Sequence, residues 1–515
     1  MNEYKKFTTE LAKAEPWNEG APKINAPRIF GAGINSPFFF PIPVTGERPL
    51  TFSVEGRPEG LSINSETGII SGAVRETIEI TVNIKVSNCL GNDEQECRIV
   101  TGDKISLTPP LGWNSWNVWG STIDEKKIKD CADNMIASGL AAHGFSYINI
   151  DDGWQGERSG PLNALQANNK FKDMKALCDY IHSLGLRAGI YSTPWVKSYG
   201  GYNGGSSGEC VRGESEHIHK ENGWYFGEHT HHGEDARQWA EWGIDYLKYD
   251  WSPWEVHDIE VMHDALENCG RDIIYSLSNS APFDKTEGRR HLANCRRTTG
   301  DITDTWQSVC SIGFSQDKWI PYSGQGHWND PDMLVVGKLG WGKVRENRLT
   351  HDEQITHITL WAILAAPMLL GCDLTQIDEF TVNLMSNNEM LAVNQDPMGR
   401  QGHCVRELRR TDENGQITTH ENVYVRELYD GSLAVGLFNR ADIPAIIEVS
   451  QSELGIGQNR QIRDIWAKRN IGIFDEKFSI GVPAHGAQFV RIKQPTAATK
   501  KRGPANADVE SSFRV

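Results

Sequence analysis

The sequence contains no hydrophobic run long enough to cross a membrane and no cysteine spacing typical of zinc sites. Its best apolar stretch, 360–370, falls short of the roughly 18 residues of a membrane span and contains a proline. The ten cysteines include no C-x-x-C pair. Cys89 and Cys97 are spaced suitably for a bridge across a hairpin, and the sequence leaves their pairing open. These absences argue against a membrane protein and a cysteine-based zinc site.

Positive charge is also scarce. The chain has 52 Lys and Arg against 68 Asp and Glu, a formal net charge of −16. An acidic surface repels phosphate backbones, so we do not expect a nucleic-acid partner. Hydrophobic residues at 38% and charged residues at 23% are typical of a soluble globular protein.

The first ten residues lack the apolar core of a secretory signal peptide. Two interpretations of localisation therefore stay open. The protein is cytoplasmic, or it is exported and its signal peptide is missing from this chain.

The length of 515 residues predicts two or three folded units. After a leader at 1–25, the region 26–105 has the pattern of an all-β module. Ile78, Ile80, Val82, Ile84 and Val86 alternate with polar residues, which is the period of a half-buried strand. The region resembles small immunoglobulin-like modules attached to bacterial surface proteins and glycosidases, and it is either a spacer or a sugar-binding module.

The region 107–400 alternates short apolar strands with amphipathic helices. Eight strand candidates stand at 112–116, 147–150, 187–191, 244–249, 273–277, 297–300, 326–329 and 368–371. Repeated strand–helix units predict a parallel sheet, and eight of them predict a closed (β/α)₈ TIM barrel. From 401 to 493 the strands return at a spacing that predicts an antiparallel β-sandwich. The last segment, 494–515, has no periodicity and is predicted to be a disordered tail.

Acidic residues follow four of the predicted barrel strands: Asp151 and Asp152, Asp250, Asp301, and Asp330 with Asp332. The carboxyl ends of barrel strands point into one pocket, where active sites are found. A single Asp at a strand end often caps the next helix, but capping alone does not account for four strands.

Two chemistries use such a ring of carboxylates: divalent-metal coordination and glycoside hydrolysis. The neighbours are aromatic, with Trp113, Trp154 and Trp328 among them, and this composition favours a sugar ring over a metal. Hydrolysis of an acetal requires a nucleophilic carboxylate and a carboxylic acid on either side of the scissile bond. Lys248 should face the same side of its strand as Asp250 and is predicted to keep it ionised.

The motifs resemble those of glycoside hydrolase family 27, in the family's order and over roughly 290 residues. They are Gly112-Trp-Asn-Ser-Trp116, Asn149-Ile-Asp-Asp-Gly-Trp154, Gly189-Ile-Tyr191, Tyr246-Leu-Lys-Tyr-Asp250, Arg297-Thr-Thr-Gly-Asp-Ile302, Trp328-Asn-Asp-Pro-Asp-Met-Leu334, Trp361-Ala-Ile-Leu-Ala-Ala-Pro367 and Asn394-Gln-Asp-Pro397. The resemblance implies a barrel followed by an antiparallel β-domain. It also implies a retaining hydrolase of terminal α-galactosides that works without a metal or other cofactor.

Carried over by position, the resemblance makes Asp250 the nucleophile and Asp301 the general acid/base. It makes the remaining matched positions sugar-binding: Trp116, Asp151, Asp152, Tyr191, Lys248, Arg297 and Asp332. In a retaining enzyme the two catalytic carboxyl groups lie about 5–5.5 Å apart.

The choice of sugar stays open between three members of the family. Ser278 and Ala281 resemble the small residues that accommodate a 2-acetamido group in α-N-acetylgalactosaminidases. Acids at both 151 and 152 favour a sugar with a hydroxymethyl group over a β-L-arabinopyranoside. Galactose is the preferred prediction. The cysteine pair that many members carry beside the nucleophile is absent, since Trp251 and Ser252 follow Asp250.

An insertion at 197–232 is rich in glycine and then in histidine, with His217, His219, His229, His231 and His232. HxH spacing would suit a metal, but we favour a solvated loop that shapes the aglycone side of the pocket. The predicted partner is a galactoside-containing oligo- or polysaccharide, and the oligomeric state is not predicted. The rival hypothesis is a non-catalytic carbohydrate-binding protein on the same barrel, which would usually have lost Asp250 or Asp301. The family is often periplasmic or extracellular.

Overall fold

The structure is a computed structural model that describes residues 7–212, 218–252, 254–279 and 282–493. The predicted tail at 494–515 lies outside these ranges, as do His217 and Ala281.

The N-terminal module is a small β-sandwich. Its strands are β1 (Lys23–Ile24), β2 (Ile29–Ala32), β3 (Phe38–Pro41), β4 (Val44–Thr45), β5 (Thr51–Glu55), β6 (Leu61–Ile63), β7 (Ile69–Gly72), β8 (Ile78–Asn88) and β9 (Gly91–Thr101). A sheet in the order β2-β9-β8-β5 and a second in the order β3-β7-β6 enclose one hydrophobic core. Val82, Ile84 and Val86 of the alternating strand are buried in that core, which confirms the predicted period.

The barrel region contains eight parallel strands and two antiparallel hairpins. In chain order the strands are β10 (Leu111–Asn114), β11 (Tyr147–Ile150), β12 (Gln155–Ser159), β13 (Ala164–Ala167), β14 (Arg187–Ser192), β15 (Ser206–Cys210), β16 (Gly227–Thr230), β17 (Ile244–Asp250), β18 (Ile274–Ser278), β19 (Cys295–Arg297), β20 (Trp328–Asp330) and β21 (Met368–Leu370). The parallel sheet runs β20-β19-β18-β17-β14-β11-β10-β21, and β12–β13 and β15–β16 form the hairpins. A parallel bridge between Leu334 and Leu370 joins the segment after β20 to β21 and closes the barrel.

Helices connect the barrel strands. They are α1 (Trp116–Trp119), α2 (Glu125–Ala137), α3 (Met174–Ser183), α4 (His232–Trp242), α5 (Val256–Glu267), α6 (Trp306–Gly313), α7 (His351–Ile363), α8 (Glu379–Met385) and α9 (Asn388–Asn394). Side chains cap several of them; the Asp124 carboxylate, for example, accepts from the Lys127 N–H at the start of α2. Within the described residues, no helix has the length and apolarity needed to span a membrane.

The sixth barrel strand lies two to three residues earlier than predicted. The predicted strand began at Arg297, whereas β19 ends there, with Cys295 paired to Trp328 and Ser276. After Arg297, the Thr298 N–H still donates to the Asp330 carbonyl at 3.0 Å, while the Thr298 hydroxyl donates to the Gln316 side chain at 2.8 Å. Asp301 consequently lies in a loop four residues beyond the strand.

The C-terminal region is an antiparallel sandwich. Its elements are β22 (His403–Thr411), β23 (Ile417–Glu427), β24 (Leu433–Asn439), β25 (Ala445–Ser450), α10 (Gln451–Leu454), β26 (Arg460–Asp464), β27 (Arg469–Phe474), β28 (Lys477–Val482) and β29 (Ala487–Lys493). The sheet β22-β23-β24-β29-β26-β27 and the pair β25-β28 share a hydrophobic core.

The N-terminal module packs against the amino-terminal end of the barrel. The Gly33 N–H donates to Asp272 Oδ2 at 2.7 Å, and the Asn25 amide donates to the Ala142 carbonyl at 2.9 Å. The Arg187 guanidinium, at the first residue of β14, donates to the Phe39 carbonyl. These barrel residues precede or begin strands, so the module lies opposite the face where the carboxylates gather.

Candidate active site

The predicted carboxylates meet at the carboxyl end of the barrel. Asp151 and Asp152 follow β11, Asp250 ends β17, and Asp332 follows β20. Neighbouring parallel strands end at the same edge of the sheet, so their last residues converge. Asp301 reaches the same place from the loop after β19.

Asp250 is buried, and both of its carboxylate oxygens accept hydrogen bonds. The Tyr191 hydroxyl donates to Oδ2 at 3.0 Å, from the neighbouring strand β14. The Asn279 amide donates to Oδ1 at 2.5 Å, from the residue that follows β18. One donor from β14 and one from the residue after β18 therefore fix the orientation of this carboxylate.

Lys248 forms its ion pair with Asp151 and not with Asp250. Its ammonium lies 2.8 Å from Asp151 Oδ2, and the Asp151 side chain is only 1% exposed. Lys248 therefore acts on the pKa of Asp250 in the predicted direction, but its effect is smaller than predicted. The charge of Lys248 lowers the pKa of Asp250 but does not outweigh burial.

Asp152 is held by its own set of donors. The Gln155 amide donates to Oδ1 at 2.9 Å, and the Gly200 N–H of the insertion donates to Oδ2 at 2.8 Å. Burial nevertheless raises the pKa of Asp152. The insertion thus contacts a predicted sugar-binding residue directly.

Arg297 connects the two remaining predicted acids. Its guanidinium lies 2.9 Å from Asp301 Oδ1 and 3.0 Å from Asp332 Oδ2. The Asp301 side chain is 73% exposed, whereas Arg297 and Asp332 are buried. Asp301 is therefore the acid of this group that faces the open side of the pocket.

The two principal acids are shifted in opposite directions. Burial raises the pKa of Asp250 to about 7, and repulsion by Asp301 and Asp151 adds to the effect of burial, against Lys248 and the Tyr191 hydrogen bond. Partial burial would also raise the pKa of Asp301, but the charges of Arg297 and Lys248 hold it below its usual range. These opposite shifts favour a proton on Asp250 over a proton on Asp301.

The aromatic residues divide into pocket and core. Trp116 is partly exposed, and Tyr191 contacts Asp250. Trp113, Trp154 and Trp328, expected to line the pocket, are fully buried, and their indole N–H groups donate to backbone carbonyls. The interpretation of these three tryptophans as a sugar platform was wrong, because their side chains are buried in the hydrophobic core.

Two residues beside Asp250 were not identified from the sequence. Asn279 adopts a left-handed conformation with φ of 72°, and the Tyr199 hydroxyl accepts from its amide at 3.2 Å. An Asn directly after a buried strand was the available signal. Of the two small residues predicted near the C2 position, Ser278 is buried and pairs in register with Asp250, while Ala281 lies outside the described residues.

Comparisons with known proteins agree with this geometry. The family model described as "Alpha galactosidase A" matches residues 108–212 and 215–396, more than half of the chain. The chain belongs to the alpha-galactosidase family. The model "Alpha galactosidase C-terminal beta sandwich domain" matches residues 419–492 of this family member, and "Putative Ig domain" matches 21–100.

Similar proteins include alpha-galactosidases from distant organisms. Alpha-galactosidase 2 of Arabidopsis thaliana is 35% identical over 79% of this chain and 94% of its own length. Alpha-N-acetylgalactosaminidase of Gallus gallus is 30% identical over 71% of this chain and 88% of its own length. A crystal structure from Bacteroides fragilis, described as a putative alpha-galactosidase, superposes with a TM-score of 0.81 at 32% identity, over 93% of this chain and 99% of its own.

This member of the alpha-galactosidase family has no disulfide beside Asp250. All ten cysteines, Cys89 and Cys97 included, lie in the described part of the chain with free thiols. Trp251, which follows Asp250, is fully buried and packs against Tyr249 with ring centroids 5.1 Å apart.

The histidines of the insertion that the structure describes do not converge. His231 contacts Ser207 at 3.0 Å, whereas His229 lies beside Glu228 and His219 beside Glu221. Within the described residues, no three His, Cys, Asp or Glu side chains are grouped to hold a metal ion.

Proposed function

We propose that this protein is a retaining exo-glycoside hydrolase that releases terminal α-linked galactose from oligo- or polysaccharides. The observation that carries the proposal is the buried Asp250 carboxylate, oriented by two hydrogen-bond donors beside the exposed acid Asp301. Membership of the alpha-galactosidase family supports the same chemistry.

The proposed reaction has two steps. An oxygen of Asp250 attacks the anomeric carbon while Asp301 gives its proton to the leaving oxygen, so that the glycosidic bond breaks and a glycosyl ester forms. Asp301 then takes a proton from water, the water oxygen attacks the same carbon, and Asp250 is released. The second inversion restores the configuration of the sugar.

Substrate binding has to move the proton. The reaction needs Asp250 ionised and Asp301 protonated, which is the arrangement that the pKa shifts of the free protein disfavour. A glycosidic oxygen placed against Asp301 stabilises the protonated acid, because it accepts a hydrogen bond that only this form can donate. The Arg297 contact with Asp301 is the interaction that must weaken.

Galactose is supported by the residues proposed to bind its hydroxyl groups. Asp151, Asp152 and Lys248 form a polar wall held in place by hydrogen bonds, and this wall is suited to the hydroxyls of a hexose. N-acetylgalactosamine is the second candidate, because Ser278 is small and the Gallus gallus relative acts on that sugar by name. Ala281, the other small residue predicted near the C2 position, lies outside the described residues.

A panel of p-nitrophenyl glycosides tests the proposal. The wild-type protein is expected to cleave the α-galactoside faster than the α-N-acetylgalactosaminide and the β-L-arabinopyranoside, and to release α-galactose first, as read by NMR. The Asp250→Asn variant is expected to show no turnover above buffer. Binding of free galactose without cleavage of any member of the panel would instead support the non-catalytic alternative.

A further inference from the structure

Asn279 and Tyr199 form a chain of hydrogen bonds that ends on the Asp250 carboxylate. The Asn279 amide donates to Asp250 Oδ1 at 2.5 Å and to the Tyr199 hydroxyl at 3.2 Å. An amide nitrogen has two N–H donors, so this arrangement uses both. Because the Tyr199 hydroxyl holds the second donor, the first is aimed at the carboxylate.

The backbone at Asn279 supports the same geometry. Its φ of 72° is a conformation that Asn, Asp and Gly adopt more readily than other residues. Asp250 pairs with Ser278 in the parallel sheet, so the next residue of the β18 chain stands beside the carboxylate. The left-handed backbone thus occurs at Asn279, the residue whose side chain contacts Asp250.

Tyr199 belongs to the insertion and is held by aromatic contacts. Its ring lies 5.2 Å from that of Trp195 and 5.0 Å from that of Trp224, both in edge-to-face geometry. The Trp224 indole also donates to the Ser198 carbonyl at 3.1 Å. These aromatic contacts, together with the Trp224 hydrogen bond, hold the Tyr199 hydroxyl in position.

We propose that Asn279 is a positioning residue for the nucleophilic carboxylate, and that Tyr199 makes the insertion part of the catalytic site. This inference rests on the proposed role of Asp250. The amide fixes Oδ1 and stabilises the ionised form, while Tyr191 holds Oδ2. The remaining lone pairs are thereby presented to the anomeric carbon. The insertion therefore affects the reaction itself and not only the choice of aglycone.

The test compares Asn279→Gly, Asn279→Asp and Tyr199→Phe. Glycine and aspartate both tolerate the left-handed backbone, so these variants remove the amide donor without straining the turn. Tyr202→Phe is the matched control, because Tyr202 lies in the same insertion but its hydroxyl meets Lys170 at 3.4 Å. Folding of every variant is checked by thermal unfolding.

For Asn279→Gly we expect kcat and kcat/KM on the aryl galactoside to fall together by about 10- to 100-fold, the range for a hydrogen bond to a charged group. Asn279→Asp should fall further, because a second carboxylate faces Asp250. Tyr199→Phe should fall by about 3- to 10-fold, and Tyr202→Phe by less than twofold.

The pH profile separates positioning from a merely structural role. The charged groups around Asp250 are Lys248, Asp151 and Asp301, and all of them remain in these variants. Loss of a donor to the carboxylate raises the pKa of Asp250. The pH above which kcat/KM falls should therefore be higher in Asn279→Gly than in wild type. The proposal would be overturned by a folded Asn279→Gly variant with wild-type rates and with the same pH above which kcat/KM falls. A Tyr199→Phe variant that matches Tyr202→Phe would overturn the part that concerns the insertion.

Failure of the proposed function is distinguishable from failure of this inference. If the wild type cleaves no member of the glycoside panel, the titration of Asp250 is followed by carboxyl-¹³C NMR of aspartate-labelled protein, with Asp250→Asn for assignment. A higher pKa in Asn279→Gly than in wild type supports the inference even then. An equal pKa refutes it.

Discussion

At the scale of single residues, the main feature of the site is one proton divided between Asp250 and Asp301. The two groups repel each other, so the protons leave in two macroscopic steps that belong to the pair. The proposed reaction needs the proton on Asp301, which is the arrangement that these pKa shifts disfavour.

We predict a bell-shaped dependence of kcat/KM on pH. Above about pH 7 the pair loses its last proton, which in the free enzyme comes mainly from Asp250, so the rate should fall there. Below the lowered pKa of Asp301 both acids are protonated, and the rate should fall again. Initial rates on an aryl galactoside between pH 3 and 9 measure both limbs. A rate that keeps rising through pH 7 would contradict the assignment.

At the scale of elements, the loop after β19 carries Asp301 and is anchored by neighbouring loops. The Ile302 N–H donates to Asp332 Oδ2 at 2.8 Å. Asp304 has a fully buried side chain, and Arg345 and Arg348 donate to it at 2.7 and 2.6 Å. The loop that carries the exposed Asp301 is thus anchored to its neighbours by hydrogen bonds and ion pairs.

We predict that Asp304→Asn weakens this loop. Burial alone would raise the pKa of Asp304, but the hydrogen bonds from Arg345 and Arg348 lower it to about 2. A depressed pKa means that the stabilisation is complete above the unfolded value near pH 4 and is lost as pH falls toward 2. The expected loss of unfolding free energy at pH 7 is about 2–3 kcal/mol, measured in urea, together with a lower kcat.

Glu427→Gln is the control for this variant. It breaks the Arg400–Glu427 pair, whose side chains are 64% and 63% exposed, and should cost less than about 1 kcal/mol. Equal stability of the two variants would show that Asp304 does not anchor the loop.

At the scale of the whole molecule, His485 links the C-terminal sandwich to the barrel. Its imidazole lies 2.8 Å from Glu353 of α7 and 2.8 Å from Asp442, and it stacks on Trp306 of α6 with centroids 4.5 Å apart. Burial would lower the pKa of His485, but the two carboxylates raise it. The charged imidazole therefore stabilises the contact between the two regions.

We predict a pH-dependent loss of stability in His485→Gln. A raised pKa gives a contribution that is complete below the unfolded value near 6.5 and is lost as pH rises through the folded value. At pH 6 the variant should have a lower free energy of unfolding than wild type, by about 1–2 kcal/mol at most, and hence a lower unfolding temperature. The difference should shrink toward pH 9. Thermal scans at several pH values measure it, with the exposed His403→Gln as control. A difference that does not depend on pH would rule out the charged pair.

The placement of the N-terminal module also belongs to the whole molecule. It covers the amino-terminal end of the barrel, through Gly33 and Asp272 among others. This position keeps it away from Asp250. A spacer or stabilising role is consistent with the placement, and the alternative of a sugar-binding module stays a prediction.

Much of the fold and the outline of the site could be predicted from the sequence. Apolar strand runs and helix amphipathicity are local, and they located eight barrel strands to within a few residues. The strands are buried on both faces and therefore form short apolar runs, whereas the helices between them are buried on one face. The sixth strand was predicted two to three residues late, since its bounds depend on pairing with β18 and β20 and not on a local pattern.

The sequence by itself determined that acids stand at the ends of barrel strands, because strand and acid are adjacent in the chain. Only the tertiary structure decided which partner each acid has. Lys248 pairs with Asp151, 97 residues away, and Asn279 meets Tyr199, 80 residues away. Such contacts depend on strand register and on how the insertion folds over the barrel, and neither leaves a periodic trace in the chain.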